Sequence, residues 1–169
     1  TVNSNFISIL DSNYPELIPE TCKPYLEEGH KNDTVYRTRN NETESKLEFL
    51  LKQSKILYDS GKKAGRKVTE TEEFKTLKRM LGEQTKGDDD DFDNHEPKAG
   101  ENISPDSLQN PSDPDATYRF KYGDNVGFVA NVAELFNGED SLIGFYDFKP
   151  NIYSDPDFCR DSIDKISEN

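Results

Sequence analysis

Lys62, Lys63, Arg66 and Lys67 place four cations within six residues of a chain whose formal net charge is −13. Clustered Lys and Arg are what attraction to a phosphate backbone needs, so this cluster is where nucleic-acid chemistry would be sought. The charge is segregated: residues 1–30, 31–86 and 87–169 carry net charges of −4, +5 and −14. The balance argues against non-specific binding to nucleic acid by the whole surface, and the middle stretch is the first place to seek a DNA or RNA contact. The plainer reading of the four cations is a solvated loop kept soluble by lysines, and clusters of this size are common enough on surfaces to favour it.

The acidic residues have their own candidate chemistry. Counting from Asp89, the acids at 89, 91 and 93 fit the first three ligand positions of a calcium loop. Asn94 then stands where the sharp turn needs glycine, and Gly100 where a bidentate glutamate is needed, so the motif fails and a solvated acidic segment is the better reading. Asp113 with Asp115, and Asp155 with Asp157, form two Asp-Pro-Asp units that proline turns and helix caps explain better than a metal pair. His30 and His95 have no serine or cysteine partner at recognisable spacing and receive no catalytic role. Cys22 and Cys159 are far apart in sequence, lack a neighbouring cysteine or histidine, and read as reduced thiols rather than a disulfide or metal site.

These residues must be positioned by a small core, since only 31% of the chain is hydrophobic and the mean hydropathy is −0.96. Phe6, Ile9, Leu10 and Asn13 stand at helical spacing before the prolines of "YPELIP", and "PETCKPYLEEG" offers a further helical turn or two ending at Gly29. A helix is expected over 41–59, capped by Asn41 and Glu44, with Leu47, Leu50, Leu51, Ser54, Leu57 and Tyr58 in one stripe. A second is expected over 69–84, capped by Thr69 and Glu72, with Phe74, Leu77, Met80 and Leu81 facing the first. The short, glycine-bearing "GKKAGRK" between them predicts an antiparallel hairpin with the four cations at its tip. Residues 86–116, rich in Asp, Asn, Ser, Pro and Gly and nearly empty of large apolar groups, predict a polar loop or disordered linker.

From Val126 the period changes. Val126, Phe128, Ala130 and Val132 share one face of a strand, and Val129, Ala133 and Leu135 the other. Asn137-Gly138 is the pair expected in a tight hairpin turn, followed by a return strand with Leu142, Tyr146 and Phe148 on one face and Ile143 and Phe145 on the other. Ser154 or Asp155 then caps a closing helix with Pro156 in its first turn and Phe158, Ile163 and Ile166 along a stripe. The expected fold class is α+β, with a helical region over 1–85 and a β-hairpin plus C-terminal helix over 117–169. A hairpin is marginal by itself, and apolar residues on both faces imply that further strands of its sheet are missing.

The stretch "DPDATYRFKYGDNVGFVANV" resembles the segment of DDE transposases of bacterial insertion sequences in which a DPDA element leads through Lys and Gly residues into a strand of an RNase H-like core. The resemblance is specific over 111–150, and "EEGHKNDTVYRTR" upstream extends it. It implies a partial RNase H-like core from an enzyme in which Asp, Asp and Glu hold two divalent ions for phosphodiester transfer. The first of those acids would stand on a strand before the helical region and the second on a strand after the closing helix, so no position here matches a catalytic carboxylate. Mg would belong to the full-length enzyme, and this chain by itself would be catalytically silent. Transposon DNA is the implied partner, with Lys62, Lys63, Arg66, Lys67, Arg119 and Lys121 as the candidate contacts to its backbone. Self-association through exposed strand edges is also expected. The rival from another class is an acidic interaction module that mimics nucleic acid, suggested by the −14 balance of 87–169. Without a run of about 18 apolar residues or a basic-then-apolar N-terminal segment, the expected setting is cytoplasmic, with no membrane contact.

Overall fold

The computed structural model describes residues 1–30, 42–86, 92–93, 96–120 and 123–168. They form two compact units, Thr1–Ser104 and Pro105–Asn169. The class is α+β: the first unit is helical, and the second carries a three-stranded antiparallel sheet and a helix.

In the first unit, α1 (Val2–Asn13) is followed by two 3-10 turns, Pro15–Leu17 and Glu20–Leu26. The α1 face turned to the core consists of Asn3, Phe6, Ile7 and Leu10, so Ile7 takes the place expected of Ile9. The long helix α2 (Thr43–Ala64) outlasts its expected end at residue 59, and the presumed loop residues Gly61, Lys62 and Lys63 form its last turn. Gly61 explains the extension. A Cβ there would stand 2.5 Å from Phe74 Cε2 and 2.7 Å from Phe6 Cζ, so the missing side chain lets two core rings lie against the helix backbone.

Gly65, at φ +86°, ends α2, and a four-residue helix, α3 (Arg66–Thr69), replaces the simple turn. Helix α4 (Glu72–Gln84) begins later than 69, with Thr71 rather than Thr69 at its N-cap, where the Thr71 hydroxyl accepts from Phe74 N at 3.3 Å. The cap expected at Asn41 lies outside the described residues, and Glu42 precedes α2 without a side-chain cap bond. Tyr58 and Phe74 stack at 5.1 Å between α2 and α4, and Phe6 of α1 tilts onto Phe74 at 5.5 Å.

The stretch expected as a polar loop or disordered linker supplies a core residue. Phe92 is 1% exposed, meets Tyr58 edge-on at 5.1 Å, and adopts φ +40°, which a non-glycine residue holds only when its surroundings enforce it. A bridge between Thr85 and Pro97 and a 3-10 turn at Gly100–Asn102 follow before the helical unit ends at Ser104.

In the second unit the strands run β1 (Thr117–Phe120), β2 (Asp124–Asn137) and β3 (Asp140–Pro150), in the order β1-β2-β3. β1 is a strand the sequence reading did not isolate, and it pairs only with residues 124–127 of β2. The hairpin turn is Gly138-Glu139, flanked by the pair Asn137 and Asp140, with glycine at φ +70° in the first central position rather than the expected Asn-Gly pair. Register shifts between the pairs Ala133–Phe145 and Glu134–Ile143, leaving Gly144 as an extra residue. That bulge reverses the expected facing of the return strand: Ile143, not Leu142, shares a face with Tyr146 and Phe148.

One face of the sheet, with Val129, Asn131, Ala133, Phe145 and Lys149, is partly covered. Helix α5 (Asp155–Ser167) lies on this side: Asn131 donates to Ser162 Oγ at 2.7 Å, and Ile166 approaches Gly144. Ser154 is the N-cap, accepting from Asp157 N, and the helix buries Phe158 and Ser162 while Ile163, expected in the stripe, is 59% exposed. The opposite face carries Phe120, Val126, Phe128, Val132 and Phe136 from β1 and β2 beside Ile143, Tyr146 and Phe148 from β3, all exposed.

Candidate nucleic-acid interface

The basic cluster is built by the junction of α2 and α3. Lys62 and Lys63 occupy the last turn of α2 and Arg66 and Lys67 the next helical turn, so all four are exposed around Gly65 within the helical unit. Two of them have local tasks. Lys62 Nζ lies 5.5 Å over the Tyr58 ring, and Arg66 Nε donates to Glu70 Oε1 at 2.6 Å. Both are compatible with a solvated helix junction, and neither removes the charge from the surface.

Other cations of the helical unit, not singled out from sequence, gather beside Phe92. Lys75, Lys78 and Arg79 line a groove of about 420 Å³ with Gly82, Glu83 and Phe92. Their spacing of three and four residues puts them on one face of α4, a signal readable in principle from the sequence. Lys75 pairs with Glu72 at 2.6 Å and Arg79 with Glu83 at 2.7 Å. A second groove, of about 460 Å³, includes Lys86 and Lys98, and Lys98 Nζ donates to Gly82 O at 2.8 Å.

In the sheet unit, Arg119 is held inward: Nη1 donates to Asn151 O at 3.4 Å, and Nη2 stands 3.6 Å from Asp155 Oδ1. It ties β1 to the segment entering α5. Lys121 lies outside the described residues, as does His95. The two Asp-Pro-Asp units are occupied structurally. Asp113 O accepts from Ala116 N in a turn, Asp155 faces Arg119, and Asp157 takes the Ser154 hydroxyl and Arg160 Nη1. The Ser154 hydroxyl and then Arg160 hold the Asp157 carboxyl below the usual range, which keeps it ionised at the α5 N-terminus. The Asp161 carboxylate accepts from Tyr153 and raises that phenol, and Asp124 does the same to Tyr118 at 2.7 Å.

No group of three or more His, Cys, Asp or Glu able to hold a metal occurs among the described residues. Cys22 is buried and donates to Gln53 Oε1 at 2.9 Å, and burial pushes its thiol up, opposite to the shift a reactive thiolate needs. No described helix is long and apolar enough to cross a membrane.

The structure thus defines an α+β chain with an exposed cationic junction in its helical unit and an acidic unit whose sheet is covered on one side. No protein-family model, curated protein or solved structure matches it.

Proposed function

We propose that this chain is a part of a DDE transposase of bacterial insertion sequences, a stretch of its RNase H-like domain that lacks the Asp, Asp and Glu triad and is catalytically silent by itself. The observation that carries this reading is the unfinished sheet in the residues that bear the resemblance. Among the described residues β3 ends the strand order, and β2 has no partner beyond residue 127 on its β1 side. Unpaired edges of this length recruit further strands, and a parent enzyme would supply them together with the metal-holding acids and Mg. The cationic junction at Lys62, Lys63, Arg66 and Lys67 would then meet transposon DNA as a backbone contact in a cytoplasmic enzyme.

The test is the reading frame around the coding segment. A DG-containing strand encoded upstream and an aspartate-bearing strand downstream are expected, and a frame with neither overturns the proposal. The acidic-module reading has one observation in its favour: Arg119, Lys149, Arg160 and Lys165 of the sheet unit each pair with an acid, leaving the surplus acids to set its field. Duplex DNA titration separates the two. Affinity that falls between low and moderate salt, and falls further when the four junction cations become glutamine, supports the transposase reading, whereas no affinity at any salt favours the acidic module.

A further inference from the structure

We propose that the open face of the sheet is a docking surface for a second copy of this chain, forming a two-fold dimer by packing sheet against sheet. The inference is independent of the transposase reading, which concerns the edges of the same sheet.

Three observations carry it. First, the face is predominantly apolar, with Glu134 opposite Ile143 as the charged interruption within it. The cross-strand pairs Val132–Tyr146 and Ala130–Phe148 lie at its middle, and Val132, Tyr146 and Phe148 are 59, 68 and 64% exposed. Side chains of this kind bury on the order of 150 Å² or more each, so at such exposures the eight large residues of the face present roughly 700 Å². That is above the few hundred Å² normal for a monomer surface, and close to the roughly 800 Å² that each partner contributes to a standard interface.

Second, the charge is arranged to permit two copies to meet. The sheet unit is acidic, so two copies repel unless their contact surface is nearly uncharged. Asp147 and Lys149 stand on the helix-covered side and pair with each other at 2.8 Å, and Asp124 and Glu134 are the acids that alternation assigns to the open face. Asp124 lies at its corner and accepts from Tyr118, and Glu134 lies toward the hairpin end. A basic partner would find little charge there to read. A second identical apolar face fits.

Third, the geometry suits symmetric closure. β2 and β3 pair over ten registers, long enough to pack against their own copy at the small crossing angle of aligned sheets.

The test is sedimentation equilibrium on the whole chain over a range of concentrations, alone and with Val132→Lys and Tyr146→Lys combined. Both positions are solvent-exposed in the single chain, so the substitutions should leave its circular dichroism unchanged, and that spectrum is the check on folding. The wild type is expected as a reversible dimer, its binding of an apolar dye falling as concentration rises, with the double variant at least about tenfold weaker in association. A chain that stays monomeric throughout overturns the proposal. So does a dimer indifferent to the two lysines, or one that protects the β3 edge amides from exchange, because association would then run through strand edges or the helical unit.

Discussion

The two units of this chain spend their apolar residues in opposite ways. In the helical unit Phe6, Ile7, Leu10, Leu57, Leu77, Leu81 and Phe92 are at most 1% exposed and form one cluster. In the sheet unit the buried apolar residues among those described are Ala116 and Phe158, while aromatic and branched side chains of β2 and β3 face outward. Both units have regular hydrogen bonding and each has a helix with a side-chain N-cap, Thr71 in one and Ser154 in the other, so the difference lies in packing and not in secondary structure. A unit that closes its own core specifies its fold alone, whereas one that leaves an apolar face open has a fold whose energetics depend on what covers it.

The largest effect that would sharpen this contrast is expected at Phe92. Phe92→Ala removes a fully buried ring between Tyr58 and Gly82 and should destabilise the helical unit by about 3–5 kcal/mol. Phe148→Ala, measured at dilution, should alter the sheet unit by no more than about 0.5 kcal/mol because its ring is 64% exposed. Thermal unfolding followed at high dilution checks both. Comparable losses at the two positions would erase the distinction between a closed and an open unit.

A smaller but sharper effect is expected at Gly61. In an ordinary helix interior Gly→Ala gains about 1 kcal/mol, and Gly82→Ala in α4 should show that gain, since its Cβ would meet Phe92 at 3.7 Å, an ordinary contact. Gly61→Ala should reverse the sign and lose about 1–3 kcal/mol, because the added carbon would strike two rings locked in the core. Denaturant midpoints of the two variants should therefore move in opposite directions.

How much of this was legible in the sequence follows from how local each determinant is. The Ser154-Asp155-Pro156 start of α5 was readable because capping is decided within four residues. The apolar alternation from Val126 onward revealed β2 for the same reason. Gly61 and Phe92 were not readable. A glycine between a serine and two lysines has the composition of a turn, and only the approach of Phe6 and Phe74, more than ten residues away on either side, marks its place in the helix. Phe92 follows four aspartates, a composition that argues for solvation, yet its ring meets Tyr58 across 34 positions of sequence. The candidate DNA contacts divide along the same line: the spacing of Lys62 to Lys67 placed them together, but nothing near Arg119 announced that Asn151 and Asp155 would engage it.

Gly144 carries the comparison to its smallest effect. A Cβ there would stand 2.7 Å from Leu135 Cδ1, nearly as close as the clash at Gly61, and on distance alone Gly144→Ala should be as damaging. The neighbours decide otherwise. Leu135 is 44% exposed and can turn its side chain into solvent, whereas Phe74, 4% exposed, and Phe6, fully buried, have nowhere to go. Alanine also loses less backbone entropy than glycine when held in a strand, which offsets part of the displaced contact. Gly144→Ala should therefore change the stability of the sheet unit by no more than about 0.5 kcal/mol, with the bulge retained in the amide exchange pattern around Ala133 and Glu134. A loss matching that of Gly61→Ala would mean that Leu135 is fixed in place, and that the surface around the bulge is packed as tightly as the helical core.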